Sequence, residues 1–365
     1  MVSTRTRRSA AKWLVRGLLL TLVLVILSRS LFGVGNESPS NTRPTTETER
    51  RKQYYVPQEQ EESLKQEEEA VLVVASLKKD ETSWLDIVTS KRNWGKRIYI
   101  VDAKRNSERI NSLRVPINKG REAMVYLTYI IDNYSSLPSV SIFIHSQRYQ
   151  WHNDDPNYDG LPPLLSLKIP FIHAQNYTNL RVTHHLGCPV EIKPLPLGAP
   201  IPPPPKEGDH ERAKKLSETY YAPTFSLFFP TRPVPTKVGV SCCAQFAVSR
   251  TAILSHPVTF YTRVREWLLT TELADDVSGR ILEYMWHIIF GRESEWCPDE
   301  GAMYCEVFGW CGAGGGTVKV GEGEDVEWVE RYILPPFSTL PDGWPFIGWK
   351  GEKRTPVPVE VLVEH

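Results

Sequence analysis

Residues 70–77 read AVLVVASL, a continuous apolar run of strand length rich in valine and without a charge. Such a run, hydrophobic on both faces, predicts a strand buried on both sides of a sheet. A helical pattern follows near residues 81–90, then a second apolar run, RIYIV at 97–101, closing on Asp102. From Gly120 to Tyr134 the chain reads GREAMVYLTYIIDNY, with Ala123, Leu127, Ile130, Ile131 and Tyr134 on one helical face. A third strand, VSIFI at 140–144, opens onto His145. Strands alternating with helices predict an α/β domain with a mostly parallel central sheet and helices on both faces, related to the Rossmann arrangement. Ligands of such sheets sit beyond the carboxyl ends of the strands. Asp102 and His145 stand at those ends.

Beyond this region the pattern changes. Twelve of the 29 prolines fall between Pro189 and Pro235, four of them in a row at Pro202–Pro205. That stretch predicts a long surface excursion or a lid. Regular structure resumes with CCAQFAV at 242–248. Two helices are predicted after it, one beginning at Pro257 and one over residues 277–290, stopped by Gly291.

On the amino-terminal side, the folded part is preceded by a polar stretch, 36–69, with no apolar periodicity, which predicts a disordered stalk. Before that lies GLLLTLVLVILS at 17–28, twelve uncharged residues between Arg16 and Arg29. A full membrane span needs about 20 residues. Extension to Trp13 and Phe32 reaches that length if both arginines snorkel. The competing reading is a cleaved signal peptide. Residues 1–36 hold six basic groups and no acid, which predicts a cytoplasmic amino terminus and a translocated body. The chain therefore divides into a cytoplasmic basic tail (1–12), a signal-anchor transmembrane helix (13–34), a disordered stalk (35–69) and a luminal α/β domain (70–335) that contains the Pro-rich excursion at 189–235. A C-terminal tail (336–365) completes it. The expected location is a single-pass membrane protein with its body in the secretory lumen, Golgi or ER, or outside the cell.

Composition agrees with that layout. The 365 residues carry 43 basic and 43 acidic side chains, a net charge of zero that argues against a nucleic-acid partner. A hydrophobic fraction of 41% with 11 Trp excludes wholesale disorder. Three sequons, at Asn36, Asn133 and Asn176, fit a glycoprotein. The six cysteines fit disulfides in an oxidising compartment, with fifteen pairings open, and no Cys-x-x-Cys spacing suggests zinc.

Three clusters hold candidate chemistry. In the predicted helix over 277–290, Arg280, Glu283 and His287 share a face among large apolar residues, so Glu283 could act as general base and His287 as its partner or a metal ligand. The loop after the third strand, residues 143–160, gathers His145, His152, Asp154 and Asp155 beside Trp151 and Tyr158. Carboxylates and imidazoles can hold a divalent ion, and the aromatics suit sugar faces. At the start of the first long helix, Lys119 and Arg121 flank Gly120 and would favour a phosphate. Each cluster also has a plain structural reading: a solvated ion pair, a turn, a helix start.

At these same residues the chain resembles a known family. NKGREAMVYLTYIIDNYSSLP, FIHSQRYQWHND, CCAQFAVSR and GRILEYMWHIIFG, in that order, are similar to the largely fungal domain of unknown function thirty-four thirty-one, over roughly residues 71–312. The strand-terminal aspartate, the third strand and the late Glu-bearing helix also look like nucleotide-sugar glycosyltransferases of the GT-A-type fold, and a stalk behind a single anchor is the layout of Golgi members of that class. This likeness implies a nucleotide contact at Asp102, a diphosphate contact at Lys119 or Arg121, and a metal such as manganese near His145, His152, Asp154 and Asp155. Glu283 or His287 would then serve the acceptor. The Asp-x-Asp motif of that fold is absent; no two aspartates are separated by one residue. The expected function is sugar transfer from a nucleotide donor to a glycan or other acceptor. The alternatives are a non-catalytic luminal carbohydrate-binding or scaffold domain, and a metal-dependent hydrolase using His145, His152 and Asp154.

Overall fold

A computed structural model defines residues 68–103, 113–203, 209–311, 317–320, 324–327 and 339–356. The basic tail, the anchor segment, nearly all of the stalk, the glycine run at 312–316 and parts of the C-terminal tail lie outside the described residues. Among the described residues no helix is long and apolar enough to cross a membrane.

The central sheet takes β1 (Ala70–Ser76), β2 (Gly95–Ile100), β3 (Val140–His145), β4 (Tyr177–Asn179) and β6 (Phe246–Ser249), in the order β2-β1-β3-β6-β4. The short β5 (Gly239–Val240) pairs outside it with β7 (Glu295–Trp296). β1 lies between β2 and β3 and is parallel to both. Its residues alternate between two cores as the twofold period of a strand requires. Val71 and Val73 join one cluster, while Ala70, Leu72 and Val74 join the other. Both faces are therefore covered, which is why the run reads as uninterrupted apolar sequence.

The sheet is mixed rather than wholly parallel. β6 runs antiparallel to β3, with Phe143 opposite Phe246 and Val140 opposite Ser249, and β4 is antiparallel to β6 in turn. The cause is the route of the chain. β6 is entered from the carboxyl end of β3, so it can only run back against it. This reversal delivers Cys242 and Cys243, just before β6, to the end of the sheet where ligands are expected.

Helices α1 (Leu85–Arg92) and α2 (Ala123–Asp132) match the alternation expected of the first half, whereas α3 (Leu161–Ser166) and α4 (Ile169–Gln175), after β3, carried no expectation. In α2 every residue from Ala123 to Ile130 is buried, not one face only. A helix that is apolar all round belongs inside, and α2 lies between the sheet and the later helix α7 (Val258–Thr270). The Pro-rich excursion holds a surprise. Its second half is α5 (His210–Phe228), a 19-residue helix capped by the Asp209 side chain on the Arg212 N–H and containing Pro223. It packs on α8 (Asp275–Glu283), where the Tyr221 hydroxyl donates to the Tyr284 carbonyl at 2.8 Å. The short α6 (Arg250–Leu254) links β6 to α7.

The helix expected over 277–290 is broken. α8 ends at Glu283, and α9 (Trp286–Ile289) begins after two non-helical residues. The break turns Trp286 under the sheet, 5.8 Å from Phe246 and 6.1 Å from Tyr126 between ring centroids. Phe246 also meets Phe143 at 4.9 Å, Tyr177 at 5.3 Å and Phe290 at 5.6 Å. All six cysteines are paired, as Cys188–Cys297, Cys242–Cys243 and Cys305–Cys311. The aromatic knot centred on Phe246 joins the sheet to the helices that carry the site. Phe246→Ala should cost about 3–5 kcal/mol in chemical denaturation, the usual range for a fully buried phenylalanine, and a loss below 1 kcal/mol would show that the knot is not a keystone.

Candidate functional site

A cleft of about 270 Å³ opens at the carboxyl ends of β1 and β3. Its polar lining converges from five separate pieces of chain: Asp80 after β1, Arg121 and Glu122 before α2, His145 and His152 around the third strand end, Cys243 before β6, and Glu283 at the end of α8. The cleft lies where a parallel arrangement places ligands.

Arg121 and Glu122 arrive there through a tight turn. Gly120 has φ +66° and Arg121 φ +57°, two left-handed residues in succession. A side chain at Gly120 would meet the Leu268 side chain at 2.6 Å, and the Gly120 N–H donates to Asp275 Oδ1 at 2.9 Å. Opposite, Gly279 of α8 leaves room for the Arg121 stem; a Cβ there would stand 3.2 Å from Arg121 Cγ and Cδ. Among the described residues Arg121 has no hydrogen-bond or ion-pair partner. Lys119, its expected companion, turns away: its ammonium donates to the Thr271 carbonyl at the end of α7. The anion-binding potential of this segment therefore rests on Arg121.

Glu122 and Glu283 approach the cleft from opposite sides. The Glu122 side chain is 12% exposed, and its Oε2 lies 3.8 Å from His145 Nε2. Burial and then the Glu283 charge push the Glu122 carboxyl up to about 8. Glu283 is also raised, chiefly by burial, against the opposing pull of Arg280, the Cys243 amide and Arg121. The Cys243 N–H donates to Glu283 Oε1 at 2.6 Å. At neutral pH Glu122 therefore keeps its proton, and the proton affinity of Glu283 is raised beside it. Both histidines of the cleft are neutral: burial brings His145 down to about 4 and holds His152 well below the usual imidazole range. Their rings pack edge to face at 4.8 Å, and Gln150 Oε1 sits 3.1 Å from His152 Nδ1.

The expected metal set divides. His145 and His152 line the cleft, but Asp154 and Asp155 are committed elsewhere. Asp154 Oδ2 accepts from the Val182 and Thr183 amides at 2.7 and 3.2 Å and from the Tyr304 hydroxyl at 2.8 Å. Asp155 Oδ1 accepts from the Asn157 amide at 2.8 Å and more weakly from that of Asp159. These are carboxylates that tie a loop together. The four side chains offer no common point for a divalent ion such as manganese, so the set does not fit one. The loop is held further by Arg148, whose guanidinium forks onto the Asp159 carboxylate at 2.7–3.1 Å.

Asp102 and His287 also fall outside the cleft lining. Asp102 Oδ1 accepts from the Lys78 N–H at 2.7 Å, which pins the loop after β1 to the end of β2. His287 is fully buried, with Nε2 3.1 Å from the Ser294 carbonyl, because the helix break separates it from Glu283. Burial lowers it to about 4.

Four participants went unrecognised in the sequence. Glu122 lies beside Arg121 in the NKGRE motif, yet only its basic neighbours drew notice. Asp80 sits in a charged stretch, KKDE, that reads as solvated surface, although its carboxylate accepts from the Leu77 N–H at 2.8 Å and the Ser146 hydroxyl at 2.6 Å. The adjacent Cys242–Cys243 pairing was one of fifteen. Gly279 carries no signal in a single sequence.

The chain belongs to the family described as a protein of unknown function (DUF3431), whose profile matches residues 72–306. No curated protein and no solved structure matches it. The family resemblance is thus established, while the likeness to glycosyltransferases receives no support from these comparisons.

The raised Glu122 carboxyl has a consequence for stability. An acid whose folded pKa lies above its unfolded value contributes stability that is present at low pH and lost as pH rises towards the folded value. The stability difference between wild type and Glu122→Gln should therefore fall, against the wild type, from about pH 4.5 to about 8 and level off above. Denaturation across that range checks it; a flat difference would place Glu122 in the ordinary carboxylate range.

Proposed function

We propose that the protein is a group-transfer enzyme of the secretory lumen that moves a sugar from a nucleoside-diphosphate donor to a hydroxyl acceptor. One observation carries the reading: two carboxyls with raised proton affinity and an unpaired arginine share one cleft at the carboxyl ends of the strands. Perturbed carboxyls in a concave site are the mark of acid–base work. A positively charged group beside them suits a leaving phosphate.

In that reading Arg121 meets the diphosphate. Glu283, which accepts from the Cys243 amide, takes the proton of the acceptor hydroxyl as its oxygen bonds the anomeric carbon. The bond from that carbon to the phosphate oxygen breaks, and both electrons leave with the diphosphate beside Arg121. Glu122, protonated, donates a hydrogen bond within the site and limits the charge that collects there. No step is assigned to a metal. The cleft lies just below the range of about 300–1,000 Å³ usual for small-molecule sites, which fits a site holding the sugar and adjoining phosphate while the base lies along its open side. The mixed sheet with one reversed strand is compatible with the GT-A-type arrangement suggested by the sequence. The apolar segment at 13–34 would tether the body, and the sequons fit luminal exposure.

The test is thermal shift of the full-length protein against nucleoside diphosphates and nucleotide sugars. A ligand at one hundred times its dissociation constant stabilises the native state by about 2.7 kcal/mol. Arg121→Ala should abolish the shift, whereas Glu283→Gln should keep it and lose transfer to acceptor. No shift with any diphosphate, together with binding to glycans, would instead make the domain a carbohydrate-binding module.

A further inference from the structure

We propose that the disulfide between the adjacent residues Cys242 and Cys243 is a positioning element of the cleft, which fixes the Cys243 amide on Glu283. Its catalytic meaning rests on the acid–base reading of Glu283; its geometric content does not.

The bond stands where the chain enters β6 from the cleft end of the sheet, and Cys243 is part of the cleft wall. Cys243 has φ +93° and the next residue, Ala244, φ +47°. Neither is a glycine, so both adopt a backbone conformation that L side chains avoid. A covalent link between neighbouring side chains constrains this turn where hydrogen bonds alone would let it relax. The turn aims the Cys243 N–H away from the sheet ladder and at Glu283 Oε1, 2.6 Å away.

The surroundings hold the other side of the turn. The Cys242 N–H donates to the Leu186 carbonyl at 3.2 Å. Gly187 lies so close to this strand that a Cβ would meet the Val240 carbonyl oxygen at 2.0 Å. Arg181 reaches Cys243 Sγ at 4.0 Å while donating to the Trp151 carbonyl at 2.8 Å, so the loop after β3 packs against the same turn. The groups facing Glu283 are then few. Arg280 lies on its own helix and is drawn off by Glu191 at 3.1 Å, Arg121 and Glu122 come from the start of α2, and the Cys243 amide is its close donor. A hydrogen bond to the ionised form favours that form. Removing the constraint takes away a donor that neither arginine replaces in geometry.

The experiment uses full-length protein with carboxyl-¹³C glutamate, in which Glu283 is assigned by comparison with Glu283→Gln. The double variant Cys242→Ser/Cys243→Ser should remain folded and show the Glu283 titration shifted to higher pH. The variant Cys305→Ser/Cys311→Ser, which removes a disulfide that does not line the cleft, should leave it in place. An unchanged Glu283 titration in the folded double variant would overturn the proposal. If that variant fails to fold, limited phosphine reduction of the wild type with alkylation and peptide mapping gives the answer. Reduction of the 242–243 bond with no movement of Glu283, or native Cys242 and Cys243 that already alkylate as free thiols, would overturn it equally. Since neither readout uses a nucleotide or a sugar, failure here is separate from failure of the transferase reading.

Discussion

Two carboxyl groups facing one small cleft cannot both be charged without a cost that burial enlarges. That constraint links most features of the site. Glu122 and Glu283 come from segments 161 positions apart in the chain, one before α2 and one at the end of α8. Among the described residues Arg121 beside them has no hydrogen-bond or ion-pair partner, and burial raises the proton affinity of both carboxyls. Neutral His145 and His152 add hydrogen-bonding capacity without adding charge.

The fold imposes that arrangement through backbone features rather than through long-range charge. The left-handed pair Gly120–Arg121 aims one carboxyl and the arginine inward, and the space left by Gly279 admits the arginine stem. The reversed strand β6 brings the Cys242–Cys243 turn to the same end of the sheet, and the amide there meets the second carboxyl. The helix break after Glu283 completes the division of labour. It leaves Glu283 at the cleft and sends Trp286 and His287 into the core.

Much of this was legible in the sequence, and the limits are instructive. The apolar runs at β1 and β3 were readable because strands covered on both faces are apolar throughout, while β2, half-buried at the sheet edge, was readable only from its RIYIV segment. Asp102 and His145 at strand ends pointed to the end of the sheet where the cleft opens. Glu283 stood out because a carboxylate among Ile, Leu, Trp and Phe requires an explanation. The antiparallel run of β6 was not readable, since the four-residue FAVS segment carries no mark of direction. The proline count hid α5, although Pro223 is accommodated within a 19-residue helix. His287 appeared to share a face with Glu283 only while the helix was taken as continuous. Asp154 and Asp155 looked like ligands because aspartates that cap backbone turns have the same composition as a metal loop. The amide partners of Asp154, Val182 and Thr183, come from a distant stretch of chain, while those of Asp155 lie two and four residues on.

The central claim is that burial in one cleft raises the proton affinity of both Glu122 and Glu283, so that Glu122 keeps its proton at neutral pH. It is tested most directly by following both carboxyls through a pH titration of ¹³C-labelled native protein. The account predicts a step near 8 for Glu122 and a step above the ordinary glutamate range for Glu283. Two overlapping steps in the ordinary range for glutamate, about 4 to 5, would contradict it and leave the cleft a merely solvated hollow.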